Sequence, residues 1–186
     1  MHDHRLPAAV LFDLDGTLVD SEPYWIDVEM ELSRRDGGSW SHTDALDLIG
    51  NDLRVSAQAL KERGGVKGSI QEIIDDLVDG VERLNAERGV RWRPGARELL
   101  NDLKEHGVPC AIVTMSYRSL AESVAAMLPA GSITAIVGGE EVRHGKPHPE
   151  PYLTAARRLG VDITQCIGIE DSPAGIASVE ASRSEE

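Results

Sequence analysis

The strongest constraint on this chain is a set of four short apolar runs, at residues 8–12, 110–113, 134–137 and 166–169. None alternates apolar with polar residues, so each reads as a strand covered on both faces, the pattern of a parallel sheet. Helical spacing fills intervals between the later runs. Residues 97–106 place Leu99, Leu100 and Leu103 on one face and stop at Gly107; residues 152–159 repeat the pattern and stop at Gly160. Strand, helix, strand in succession predicts an α/β fold, with helices on both faces of a parallel sheet.

Residues 20–92 break the pattern: they carry helical spacing throughout and no run of strand type. This stretch is expected to be an all-helical insert between the first strand and its sheet partners. The main domain is then 1–19 and 93–186, with Arg93-Pro94-Gly95 marking the return. The clearest helix of the insert starts at Ser69, whose hydroxyl can cap while Glu72 reaches back, and continues as Ile70, Ile73, Ile74, Leu77, Val81, Leu84. Two more are expected, over 23–35 and over 52–63 before Gly64 and Gly65.

A chain of 186 residues, 41% hydrophobic and 27% charged, can bury a core and shows no long apolar run, so no membrane span is expected. Its net charge of −13 repels polyanions and argues against nucleic acid as a partner. The start, MHDHRLP, lacks the features of a signal peptide, which predicts a cytoplasmic protein. Cys110 and Cys166 each open an apolar run and read as buried free thiols. The six histidines show no spacing of metal-ligand type and read as local polar groups, with His148, near Lys146, the one to watch.

Ligands of an open parallel sheet sit beyond the carboxyl ends of its strands, so the residues after each run carry the chemistry. The first run ends in Asp13-Leu14-Asp15-Gly16-Thr17, the second in Thr114-Met115-Ser116 and the fourth in Glu170-Asp171-Ser172, while the third leads to Gly145-Lys146-Pro147. Carboxylates converging on one crevice repel each other unless a cation joins them, and hard oxygen donors select Mg2+. Asp13, Asp171 and the carbonyl of Asp15 are the candidate ligands. A carboxylate nucleophile, a second carboxylate as acid/base, a hydroxyl and an ammonium together fit phosphate-ester hydrolysis, whose uncatalysed rate demands several coincident effects. Each piece has a bland alternative. Asp-Gly is a common turn pair, and Glu170-Asp171-Ser172-Pro173 also reads as a helix start. Their order after successive strands decides for a site.

LFDLDGTLVDSEP, VTMS, GKPHPEPYLTAARRLG and IGIEDSPAGIASVEA resemble the four motifs of the haloacid dehalogenase-like superfamily, in the subgroup with a helical cap after the first motif. The resemblance implies a Rossmann-like core with the first strand at its centre, Asp13 as phosphorylated nucleophile and metal ligand, and Asp15 as acid/base. It also implies Thr114 and Lys146 as phosphate binders, Asp171 as a metal ligand and Glu170 as a second. The metal-independent dehalogenases of the superfamily lack an acid at the position of Asp15, so its presence points to phosphoryl transfer. Relatives continue past the fourth motif with a further strand and helix, whereas this sequence stops at Glu186. It is therefore expected to be short at its C-terminus, with the strand before Asp171 at a sheet edge and a lowered stability.

The implied substrate is a small phosphorylated metabolite such as a sugar phosphate. Leaving-group contacts are expected from the insert, at Tyr24, Trp25, Asn51 and Arg54. A β-phosphoglucomutase-like phosphomutase is the alternative reading, although such mutases carry His where this chain has Trp25. A catalytically weak binding module is the other alternative.

Overall fold

The computed structural model describes residues 6–48 and 52–183. Two compact units emerge, one comprising the chain up to Val19 and from Trp92 onward, the other Asp20–Arg91.

The first unit is built on a four-stranded parallel sheet of β1 (Ala9–Phe12), β2 (Cys110–Val113), β3 (Ala135–Val137) and β4 (Cys166–Ile169), in the order β3-β2-β1-β4. Interior β1 pairs Leu11 with Ala111 on one side and Gly168 on the other. β4 is an edge, and Ile167 on it is 45% exposed. Helices α5 (Ala96–Glu105), α6 (Arg118–Ala125), α7 (Glu150–Leu159) and α8 (Pro173–Arg183) complete the unit; labels α1 to α4 belong to the insert. Every residue of β1 and β2 is buried, which is why both read as unbroken apolar runs. Tyr152 and Ala155 of α7 pack with Leu11, Ala111, Val113 and Val137 into one core cluster. Both cysteines are free and buried in this unit.

The second unit contains α1 (Glu22–Arg35), α2 (His42–Leu46), α3 (Leu53–Glu62) and α4 (Ile70–Arg88). At the start of α4 the Ser69 hydroxyl accepts from Glu72 N–H at 3.2 Å, and Ser69 N–H donates to the Glu72 carboxylate at 2.7 Å. This reciprocal cap satisfies two otherwise orphaned donors. α4 buries Ile73, Ile74, Leu77, Val81 and Leu84, each worth roughly 1.5–3 kcal/mol in transfer from water. Gly80 lets α4 approach α1, since a Cβ there would lie 2.5 Å from Val28 Cγ1. Among the described residues no helix is long and apolar enough to cross a membrane.

The structure adds two helices that the periodicity argument did not reveal. α2 has five residues, too few for a stripe, and is announced only by the Ser41/Asp44 capping box. α6 has eight, starts without a side-chain cap and buries only Leu120, Ala121 and Val124.

Candidate active site

The site grows from β1. The chain leaves the strand at Asp13, whose N–H still donates to Ile169 O at 3.0 Å, so the carboxylate is set by the sheet itself. Gly16 then turns with φ +92°, a left-handed value that suits glycine, and its N–H donates to Val19 O at 2.7 Å. A Cβ on Gly16 would stand 2.1 Å from Asp171 Oδ2, so the first and fourth loops meet only because that position has no side chain. Thr17 donates across the same gap to Asp171 Oδ1 at 3.3 Å.

Lys146 enters from the loop before α7. Its Nζ donates to Asp13 Oδ1 at 2.7 Å and to Val113 O at 2.8 Å, and forms a close ion pair with Glu170 Oε1. The three acceptors match the three donors of an ammonium. All three side chains are nearly out of water, with Lys146 5% and Glu170 3% exposed. Glu170 is held from behind as well: Tyr152 OH donates to its Oε1 at 2.7 Å, and Ser172 Oγ to its Oε2 at 3.2 Å. Burial and the adjacent Glu170 charge push the Tyr152 phenol far up, so it stays protonated and donates.

Asp15 faces the second loop. Thr114 Oγ1 donates to Asp15 Oδ2 at 3.3 Å and Ser116 Oγ donates to the same oxygen at 2.7 Å. Thr114 Oγ1 also accepts the Ser116 N–H at 3.0 Å, which ties the two hydroxyls together.

Burial pushes the Asp13 carboxyl up to about 7 against the pull of Lys146, and the charges of Glu170 and Asp15 push the same way. One ammonium does not balance so many acids. Asp13, Glu170 and Asp171 each offer an oxygen, all within 4.8 Å of one another. This all-oxygen donor set suits a hard divalent cation. Glu170 is the least available of the three, because both of its oxygens already accept hydrogen bonds.

The fold thus brings together Asp13, Asp15, Thr114, Lys146, Glu170 and Asp171. The substrate contacts expected from the insert fare differently. Tyr24 is 5% exposed and its hydroxyl donates to Gly89 O at 2.9 Å, so its polar end is already engaged within the helical unit. Trp25 is half-buried, Arg54 is exposed, and Asn51 lies outside the described residues. Sequence reasoning gave no role to Ser116, Thr17 or Tyr152. All three stand inside the quoted motifs, but Tyr152 read only as part of a helical stripe.

The histidines are also less isolated than their spacing implied. His144 and His148 stack at 4.6 Å between ring centroids, His144 Nδ1 lies 3.0 Å from Glu150 Oε2, and Glu150 N–H donates to His148 Nδ1 at 3.1 Å. The group sits at the start of α7, where the helix dipole opposes a cation, and it fastens the loop that carries Lys146.

Comparison with known proteins gives the family. The sequence model of the haloacid dehalogenase-like hydrolases matches residues 10–183. Hexitol phosphatase B of Escherichia coli is 32% identical over 186 residues, spanning 98% of this chain and 83% of that protein. Hexitol phosphatase A of the same organism is 35% identical over 170 residues, spanning 90% of this chain and 76% of its own. Among solved structures, CbbY of Rhodobacter sphaeroides in complex with phosphate superposes with a TM-score of 0.83 at 26% identity, covering 95% of this chain and 83% of that one. With the family model spanning nearly the whole chain and the four polar loops gathered into one site, this protein belongs to the haloacid dehalogenase-like hydrolases.

Proposed function

We propose that this chain is a Mg2+-dependent phosphatase that hydrolyses a small phosphomonoester, of the sugar- or sugar-alcohol-phosphate class, through a phosphorylated Asp13. The observation that carries the reading is the pairing of two carboxylates with different equipment. Asp13 is buried against an ammonium at 2.7 Å, while Asp15, two residues on, is gripped by two hydroxyls. Asp13 attacks phosphorus, and the ester oxygen leaves with a proton from Asp15. Asp15, now a carboxylate, takes a proton from water; that water displaces Asp13 and releases inorganic phosphate. Lys146 and Thr114 bind the phosphoryl oxygens and stabilise the charge that develops on them.

The residues fit Mg2+, with Asp13, Asp171 and the Asp15 carbonyl as its protein ligands. When bound, the cation neutralises phosphoryl charge that the acidic site would otherwise repel. The names of the relatives support the substrate class: the two hexitol phosphatases are joined by a fructose-1-phosphate phosphatase and a validoxylamine A 7'-phosphate phosphatase.

The test is a panel of hexose, pentose and hexitol phosphates plus a generic aryl phosphate, assayed for inorganic phosphate. Release with Mg2+, loss in chelator and recovery on adding Mg2+ back is the expected result. No release from any member with Mg2+ present would overturn the reading, and isomerisation of an aldose 1-phosphate without release would replace it by a mutase.

A further inference from the structure

We infer that Tyr152 is a positioning residue for the reaction: acting through Glu170 and through its own ring, it fixes where the Lys146 ammonium stands against Asp13. The inference deepens the proposed function and rests on it for its kinetic consequence, while its geometric claim stands alone.

A lysine reaches its site on four rotatable bonds, so its ammonium stands where its partners hold it. Lys146 Nζ has three: Asp13, Val113 O and Glu170. Val113 O is fixed by the sheet, and Asp13 is the group the lysine must serve. Glu170 is the one set by side chains in its turn: its Oε1 faces both Lys146 and Tyr152, while Ser172 Oγ donates to its Oε2 at 3.2 Å. Tyr152 cannot drift, because it is fully buried on α7 among the sheet residues. It reaches the ammonium twice, by the hydroxyl that pins Glu170 at 2.7 Å and by its ring, whose centroid lies 5.4 Å from Nζ. Gly175 closes the other side of Glu170: a Cβ there would lie 1.9 Å from the carboxylate carbon, so the acid is confined between Tyr152 and the start of α8. Without the hydroxyl, Glu170 Oε1 keeps Lys146 as a partner and loses the group that fixes its depth, and the ammonium moves with it.

The experiment compares the full chain with Tyr152→Phe, which keeps the ring, and Tyr152→Leu, which removes it. Crystal structures are expected to show Lys146 Nζ displaced from Asp13 by about 1 Å in Tyr152→Phe and further in Tyr152→Leu. Displacement of that size lowers kcat roughly 10- to 100-fold. KM for the phosphate ester is expected to stay within about twofold, which distinguishes misplacement from general loosening. In a Glu170→Gln background the added effect of Tyr152→Phe on kcat is expected to shrink below about twofold, because the two side chains act as one device. An unmoved Lys146 in Tyr152→Phe, an unchanged kcat, or equal effects in both backgrounds would each overturn the inference. If the wild-type chain releases no phosphate at all, the function falls, and the crystallographic displacement still decides the positioning claim.

Discussion

Asp13 and Glu29 are buried acids in separate units, and burial pushes both carboxyls up to about 7. Their surroundings differ in kind. Asp13 has an ammonium at 2.7 Å, a backbone N–H tied to the neighbouring strand, and two further carboxylates close enough to share a cation. Glu29, on α1, takes a hydrogen bond from Trp40 Nε1 at 3.0 Å, and that indole is covered by the Arg63 guanidinium 5.2 Å from its ring centroid. An acid out of water is therefore not by itself a catalytic signal. What marks Asp13 is the density of compensating and competing charge around it. Glu29 has burial and an indole donor in place of that charge.

The largest separation should come from Asp13→Asn. If Asp13 is the nucleophile, the amide abolishes turnover, by on the order of 10⁴-fold or more. The melting temperature should be little changed, because Lys146 keeps Glu170 as its counter-ion and the acid cluster loses one of its mutually repelling charges. Retention of even a few per cent of turnover would place Asp13 with Glu29, as a buried acid without a covalent role.

Lys146→Met asks what the ammonium does for the fold. It leaves Asp13 and Glu170 buried without their cation, a situation that typically destabilises by about 3–5 kcal/mol. Urea unfolding in chelator measures the loss without metal compensation. A change below about 0.5 kcal/mol would mean that the ammonium does little to offset the burial of its two acids, and the contrast between the two sites would narrow to their chemistry.

Much of the active site was legible because its residues stand at the ends of apolar runs, where an open parallel sheet presents them to one crevice. Asp13, Asp15, Thr114, Lys146, Glu170 and Asp171 all follow strands or lie in the loops after them. Tyr152 was not legible as part of the site. Buried on α7, it reads as one more apolar residue of a helical stripe, and its hydroxyl gains meaning only when β4 delivers Glu170 to it. Ser116 was obscured differently: its hydroxyl contributes through Asp15, a residue 101 positions away. For the fold, β1, β2, β3 and β4 announced themselves through continuous apolar character, and α4 through its cap and stripe. The short α2 and α6 carry too few turns to show a period. The Glu29–Trp40 pair was equally hidden, since a glutamate in a helix of mixed charge reads as solvated until a tryptophan 11 residues on covers it.

Glu29→Gln gives the smallest expected effect and tests the other half of the comparison. The carboxyl ordinarily titrates near 4.5 and in the folded unit near 7, so between those values the unfolded chain has released its proton while the folded one still holds it. The unfolded state then binds fewer protons, and stability falls as pH rises through this window and levels off above it. The penalty above pH 7 is on the order of 1–3 kcal/mol. Glutamine keeps an oxygen for the Trp40 N–H but adds an NH2 that needs a partner, which offsets part of the gain. The variant should therefore equal or trail the wild-type chain at pH 5 and exceed it by about 1 kcal/mol at pH 8, read from urea unfolding at both values. A difference that does not change with pH would show that Glu29 titrates alike in the folded and unfolded chain, and the resemblance between the two buried acids would end there.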